Sequence, residues 1–131
     1  MVGAGRGKLI GKPPSFADVK LGYYCTGLFN GEGYSYVKRR RGRQPSPTIA
    51  ITMCDLDALA PASEWWGLPI RKRGGRAGSC ADGEAYRIEA SGLRARLLMA
   101  GMKECGLSRR KSNQWEKVLI RAEKEAVDKP G

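Results

Sequence analysis

The chain contains no histidine. Serine–histidine–aspartate and cysteine–histidine catalysis are therefore excluded, as is a Cys2His2 zinc site. No apolar run approaches the roughly 18 residues that a membrane span needs. The stretch from Met1 to Pro14 is glycine-rich and basic and lacks the apolar segment of a signal peptide. Acid is scarce in the first half: residues 1–54 hold only Asp18 and Glu32. The four cysteines, Cys25, Cys54, Cys80 and Cys105, stand 25 to 29 residues apart, and none forms a Cys-x-x-Cys pair. A metal knuckle is disfavoured and a disulfide framework has no support from context. They read as reduced thiols, some of them buried, in an intracellular, reducing compartment.

Positive charge is abundant. Across 131 residues, 24 Lys and Arg face 13 Asp and Glu, a formal net charge of +11. That length allows one domain with one sizeable core. A surplus of this size points to a polyanion, because such a chain repels itself when free and releases counterions when it neutralises phosphates. The cations are clustered: Lys38, Arg39, Arg40, Arg41 and Arg43; Arg71, Lys72, Arg73 and Arg76; Arg109, Arg110 and Lys111. Solvated hairpin tips would explain one cluster, but several in one small domain read better as an interaction surface.

Residues 1–15 read as a flexible basic arm, 16–127 as a single domain and 128–131 as a frayed end. Gly3, Gly5 and Gly7 do not make a dinucleotide loop, since no strand precedes them and Pro13-Pro14 block a following helix. Phe16 to Gly31 reads as a helix capped by Ser15, with Leu21, Tyr24 and Leu28 in its apolar stripe. Gly27 and Gly31 share one face, and mid-helix glycine costs up to about 1 kcal/mol against alanine. Close approach to a second helix would account for both. Gly33 ends the helix. Tyr34 to Arg41 and Thr48 to Cys54 alternate as strands around a turn at 42–47. Asp55 caps a second helix running to about Trp66, with Pro61 inside it and Gly67 closing it. Ile70 to Arg73 and Ala85 to Ala90 are two further strands. Ser91 opens a third helix to about Cys105, and Ser108 a fourth to Val127, striped by Trp115, Val118, Leu119 and Ala122.

The order α-β-β-α-β-β-α-α implies an α+β fold, a four-stranded antiparallel sheet with helices on one face. The other face then carries Tyr34, Tyr36, Lys38, Arg40, Thr48, Thr52, Lys72 and Arg87. A basic open sheet face with aromatics suits a DNA groove. The hairpin from Arg39 to Pro47, with Arg41 and Arg43, extends it towards outer phosphates, and Arg73 is a further DNA-binding candidate. Trp65 and Trp66 read as core rather than as a stacking platform.

Tyr24-Cys25-Thr26-Gly27-Leu28-Phe29-Asn30-Gly31-Glu32-Gly33 resembles the signature helix of the LAGLIDADG homing endonucleases. The likeness extends to Asp55-Leu56-Asp57 through Trp66-Gly67-Leu68 for the second helix. It includes Tyr86-Arg87-Ile88-Glu89-Ala90-Ser91-Gly92 for the fourth strand and third helix, and Lys111-Ser112-Asn113-Gln114 for the Lys-x-x-Gln opening of the last helix. Together these span about residues 18–125. The resemblance implies a saddle-shaped αββαββα domain whose sheet lies in the DNA major groove. With a single signature helix, it implies a homodimer paired through Tyr24, Gly27, Leu28 and Gly31, on a long near-palindromic site in double-stranded DNA.

It further implies that Glu32 and the Gly31 carbonyl hold Mg2+ or another divalent cation, that Lys111 assists the chemistry, and that no organic cofactor and no membrane are involved. An intron, intein or phage setting is implied, in the cytoplasm of a bacterium or phage-infected cell, or in an organelle. Elementary electrostatics agrees about Glu32, because a carboxylate at a helix C-terminus faces the negative end of the macrodipole. A twofold mate would add a second negative charge, and a cation relieves both. A divalent metal lowers the pKa of water and shields a leaving oxygen, and an ammonium stabilises charge developing on phosphate.

A salt bridge from Glu32 to a nearby arginine and a plain phosphate anchor for Lys111 are the alternatives. Asn30 replaces the first aspartate of the family pattern, and Met53 stands where many members carry a polar residue that holds water. The second helix is short and has no match for a family arginine. The expected activity is a metal-dependent, site-specific endonuclease. A non-cleaving DNA- or RNA-binding relative, such as a regulator or an intron splicing cofactor, is the alternative, and a ribosome-associated basic protein is a third.

Overall fold

The computed structural model describes residues 15–73 and 84–128. The expected arm, the hairpin tip with Arg76, Cys80 and the last residues of the chain lie outside these. Eight elements follow in order: α1 (Val19–Glu32), β1 (Gly33–Lys38), β2 (Ser46–Met53), α2 (Leu56–Trp66), β3 (Arg71–Arg73), β4 (Ala85–Ser91), α3 (Gly92–Glu104) and α4 (Arg109–Asp128). The strands form one antiparallel sheet in the order β1-β2-β4-β3. The α+β architecture expected from the sequence is the one observed. No described helix is long and apolar enough to cross a membrane.

Local chemistry sets most boundaries. α1 starts at Asp18 rather than Ser15, because the Asp18 carboxylate accepts from the Leu21 N–H at 3.0 Å. The Ser15 N–H instead donates to the Trp65 carbonyl at 2.9 Å. Asp55 caps α2 through the Ala58 N–H at 3.1 Å, and Gly67 ends it with φ +73°, where a side chain would be strained. Pro61 sits inside α2 without ending it. Ser91 precedes α3 but gives it no side-chain cap, since its hydroxyl is hydrogen-bonded to Thr48 at 2.8 Å. β1 is shorter than the alternation suggested and stops at Lys38, leaving Arg39 to Arg41 beyond it.

Strand alternation sorts the sheet into two faces. Val37, Ile49, Ile51, Ile88 and Ala90 join Cys25 and Phe29 of α1, the tryptophans of α2, Leu98, Met99 and Met102 of α3, and Trp115, Val118 and Ala122 of α4 in one buried cluster. Trp65 and Trp66 are core, as expected. α4 lies on edge strand β1, with Lys111 near its start and Glu125 bonded to Arg39 past its end. Arg94 of α3 donates to the Trp66 carbonyl at 2.7 Å and closes the C-terminal end of α2.

One expectation about cysteine is corrected. Cys25 and Cys105 are free thiols, but Cys54 is disulfide-bonded. Widely spaced cysteines in sequence do not report which pairs the fold brings together.

Candidate active site and sheet surface

The end of α1 is where the chemistry-bearing residues meet. Gly33 follows Glu32 directly and opens β1. A Cβ at Gly33 would lie 2.0 Å from Phe29 Cδ1, so only glycine lets the chain turn this tightly over the buried ring. Its carbonyl receives the Lys111 ammonium from the first turn of α4. Lys111 is 8% exposed, and its nitrogen stands 6.0 Å from the Phe29 ring centroid. Ser108 accepts from the Lys111 N–H at 3.2 Å, and Asn30 binds both the Ser108 N–H (2.8 Å) and the Gly106 carbonyl (3.1 Å). Asn30 thus ties the end of α1 to the start of α4. Burial, with the Arg110 charge beside it, lowers the Lys111 ammonium below the usual lysine range; the Glu32 carboxylate opposes that shift.

Glu32 is exposed and forms no ion pair among the described residues, so the expected alternative of a bridge to arginine is not seen. Gly31 beside it is also exposed. A carboxylate and a carbonyl at a helix end, where the last carbonyls lack helical partners, are hard oxygen donors of the kind Mg2+ takes. The chain by itself supplies no group of three or more His, Cys, Asp or Glu ligands among the described residues. The donor set fits a divalent cation only when a second copy or a phosphate completes it.

One flank of α1 has no partner among the described residues. At Gly27 and Gly31 no atom of the described residues lies within 4 Å of where a Cβ would stand. Val19 (60% exposed) and Tyr23 (57%) lie on the same flank, and neither was singled out by the sequence. Tyr24 is exposed but donates to the Ala58 carbonyl of α2 at 2.6 Å, and Leu28 packs partly against the core. Gly22 serves the opposite flank: its Cβ would stand 3.0 Å from both Cys105 Sγ and Trp65 Nε1.

The open sheet face differs from a row of free donors. Register places Tyr34, Ala50 and Glu89 in one cross-strand row and Thr52, Arg87 and Arg71 in the next. Tyr34 and Tyr36 stack with centroids 5.8 Å apart, and the Tyr34 and Thr52 hydroxyls are hydrogen-bonded at 3.1 Å. Arg87 donates to the Tyr36 hydroxyl at 2.6 Å and lies over both rings. Glu89 accepts from Arg87 at 2.9 Å and pairs with Lys38.

Burial alone would raise the Glu89 carboxyl, but the Lys38 hydrogen bond and the Arg87 and Lys38 charges outweigh it and hold it below the usual range. The Tyr36 phenol is pushed up to about 12, first by burial and then by the Glu89 charge.

Several expected contact residues are relocated. Thr48 is fully buried between Tyr36 of β1 and Ser91 of β4, its hydroxyl held by the Ser46 carbonyl and the Ser91 hydroxyl. Lys72 sits opposite Tyr86, on the parity of the core face, and pairs with Glu84 at 3.2 Å. Arg71, opposite Arg87, takes the place on the open face that the sequence assigned to Lys72. Strand parity counted from β4 would have found it. Arg73 sits opposite Ala85. Arg40, Arg41 and Arg43 are exposed in the turn after β1, while Arg39 is tied to Glu125.

No family model and no curated protein matches the chain. Among solved structures it is similar to the LAGLIDADG homing endonuclease I-GzeII, determined in complex with its DNA target, at a TM-score of 0.52 and 14% identity. The match covers 79% of this chain and 35% of that one, so the chain spans about a third of that protein's length. The likeness establishes that this chain has a homing-endonuclease-like fold.

Proposed function

We propose that this protein is a DNA-binding endonuclease that works as a homodimer on a long near-palindromic site and depends on a divalent cation. The observation that carries the reading is the meeting of Glu32 and Lys111 at the end of α1. An exposed acid with no ion pair among the described residues and a buried ammonium share one helix terminus. The net charge of +11 and the open sheet face beside that terminus support duplex DNA as the substrate.

Pairing two copies through the Val19, Tyr23, Gly27 and Gly31 flank of α1 sets their Glu32 carboxylates together. Glu32 and the Gly31 carbonyl would hold Mg2+, which supplies Lewis acidity towards water and the leaving oxygen. Lys111, oriented by the Gly33 carbonyl, stands ready to donate to a phosphate oxygen as charge develops there. Tyr34, Tyr36, Thr52, Arg71 and Arg87 meet base edges and sugars, while Arg40, Arg41 and Arg43 reach outer phosphates.

A second reading, a non-cleaving nucleic-acid-binding protein, is favoured by Met53. This side chain packs partly against the core and offers no polar group near the site. Selection of cut molecules from a randomised duplex library in Mg2+ separates the two. Cleavage by the natural chain, lost in Glu32→Gln and in Lys111→Met, supports the endonuclease. Binding without cleavage in any divalent metal supports the second reading. Equal cleavage by Glu32→Gln overturns the assigned metal site.

A further inference from the structure

Two strands separate Lys38 of β1 from Glu89 of β4: β2 runs between them, and strands two apart lie roughly 10 Å from each other. The pair forms because β2 presents small side chains there, Ala50 and Thr48, both fully buried. Glu89 uses both oxygens, one for Lys38 and one for Arg87. The side chains of Lys38 and Arg87 are 27% and 22% exposed, low for surface cations. Arg87 is confined further by the Tyr36 hydroxyl and by the two tyrosine rings. Two of the donors on this face are thus held in place, and one of their two positive charges is offset, by one carboxylate. That carboxylate faces outward on a chain whose charge is otherwise suited to polyanions, where a phosphate would repel it.

We propose that Glu89 is a positioning residue that sets sequence specificity on the open sheet face: by pinning Lys38 and Arg87 it withholds them from indiscriminate phosphate contact and presents them in one fixed arrangement. The inference rests on the reading of this face as a duplex-DNA surface. Discrimination is a difference between affinities, and lowering attraction to every wrong sequence raises it as surely as adding a contact to the right one. A freed Lys or Arg would find a phosphate on any duplex, whereas a held guanidinium meets only base edges that match its position.

The test is the salt dependence of binding to a random-sequence duplex, measured by fluorescence anisotropy without divalent metal. Each phosphate neutralised adds about 0.9 to the slope of log K against log salt. Glu89→Gln releases two cations, so the slope steepens by about 1 to 2 and affinity at 0.1 M salt rises roughly tenfold or more. Glu116→Gln makes the same charge change on α4, where Glu116 pairs with Lys103, and leaves the slope within about 0.3 of the natural chain. Glu89→Asp keeps the charge but is too short to span β2, so it releases Lys38 alone and steepens the slope by about 0.9. Lys38→Gln then lowers the slope more in the Glu89→Gln background than in the natural one.

A slope for both Glu89 variants equal to that of Glu116→Gln overturns the inference and leaves the DNA reading standing. Failure of the natural chain to bind duplex at low salt overturns the DNA reading, and the inference with it.

Discussion

Gly27→Ala separates the energetics of the protomer from those of the pair. Gly27 lies in the interior of α1, where glycine costs about 1 kcal/mol against alanine. No atom of the described residues stands within 4 Å of the added methyl, so none of them offsets that gain. The isolated protomer is therefore stabilised by about 1 kcal/mol, which raises Tm by roughly 3–6 °C for a domain of this size. In a dimer packed through this flank the same methyl enters a close backbone contact twice. Overpacking costs about 1–3 kcal/mol per site, and each 1.4 kcal/mol weakens association tenfold. Association should fall at least about tenfold. Sedimentation equilibrium gives the dissociation constant, and melts over a concentration series give the crossover. The variant melts above the natural chain when dilute and below it when concentrated. Higher Tm at every concentration with unchanged association would refute pairing through the glycines of α1.

Gly33→Ala acts in the opposite sense, because its methyl meets the buried Phe29 ring rather than open space. A loss of about 1–3 kcal/mol is expected from a denaturant titration, together with displacement of the carbonyl that receives Lys111. Alkaline titration followed at 295 nm should show one of the five tyrosines ionising near pH 12, a phase absent in Tyr36→Phe and shifted down in Glu89→Gln. Since the folded state raises this phenol above its usual 10.0, the associated stability is whole below pH 10 and is lost as pH rises towards 12. The Cys25 thiol, pushed up to about 12 by burial, should resist iodoacetamide at pH 8 in the native protein, while the half-exposed Cys105 is alkylated, as read by mass spectrometry. Equal labelling of the two would contradict the packing of α1.

Much of the fold was legible because its signals are local. Asp55 and Gly67 mark both ends of α2 within one turn of the chain. Alternation from Tyr34 to Lys38 and from Ala85 to Glu89 sorts inward from outward residues without reference to any other strand. The meeting of Glu32 and Lys111 was legible only through the resemblance, since nothing local links positions 79 residues apart. Arg71 and Lys72 were exchanged because a three-residue strand has too short a pattern to reveal its parity.

Composition, charge placement, helix caps and strand parity determined by themselves that this is a basic α+β chain with one apolar and one polar sheet face. They depend on neighbours a few residues away or on simple counting. Which cations on the polar face are free was decided only when the order β1-β2-β4-β3 laid β4 beside β2. That placement let Glu89 reach over Ala50 to Lys38, buried Thr48 between Tyr36 and Ser91 and left Arg71 facing outward. Reach across a strand depends on register and on the size of the residue between, and neither is a property of any single segment.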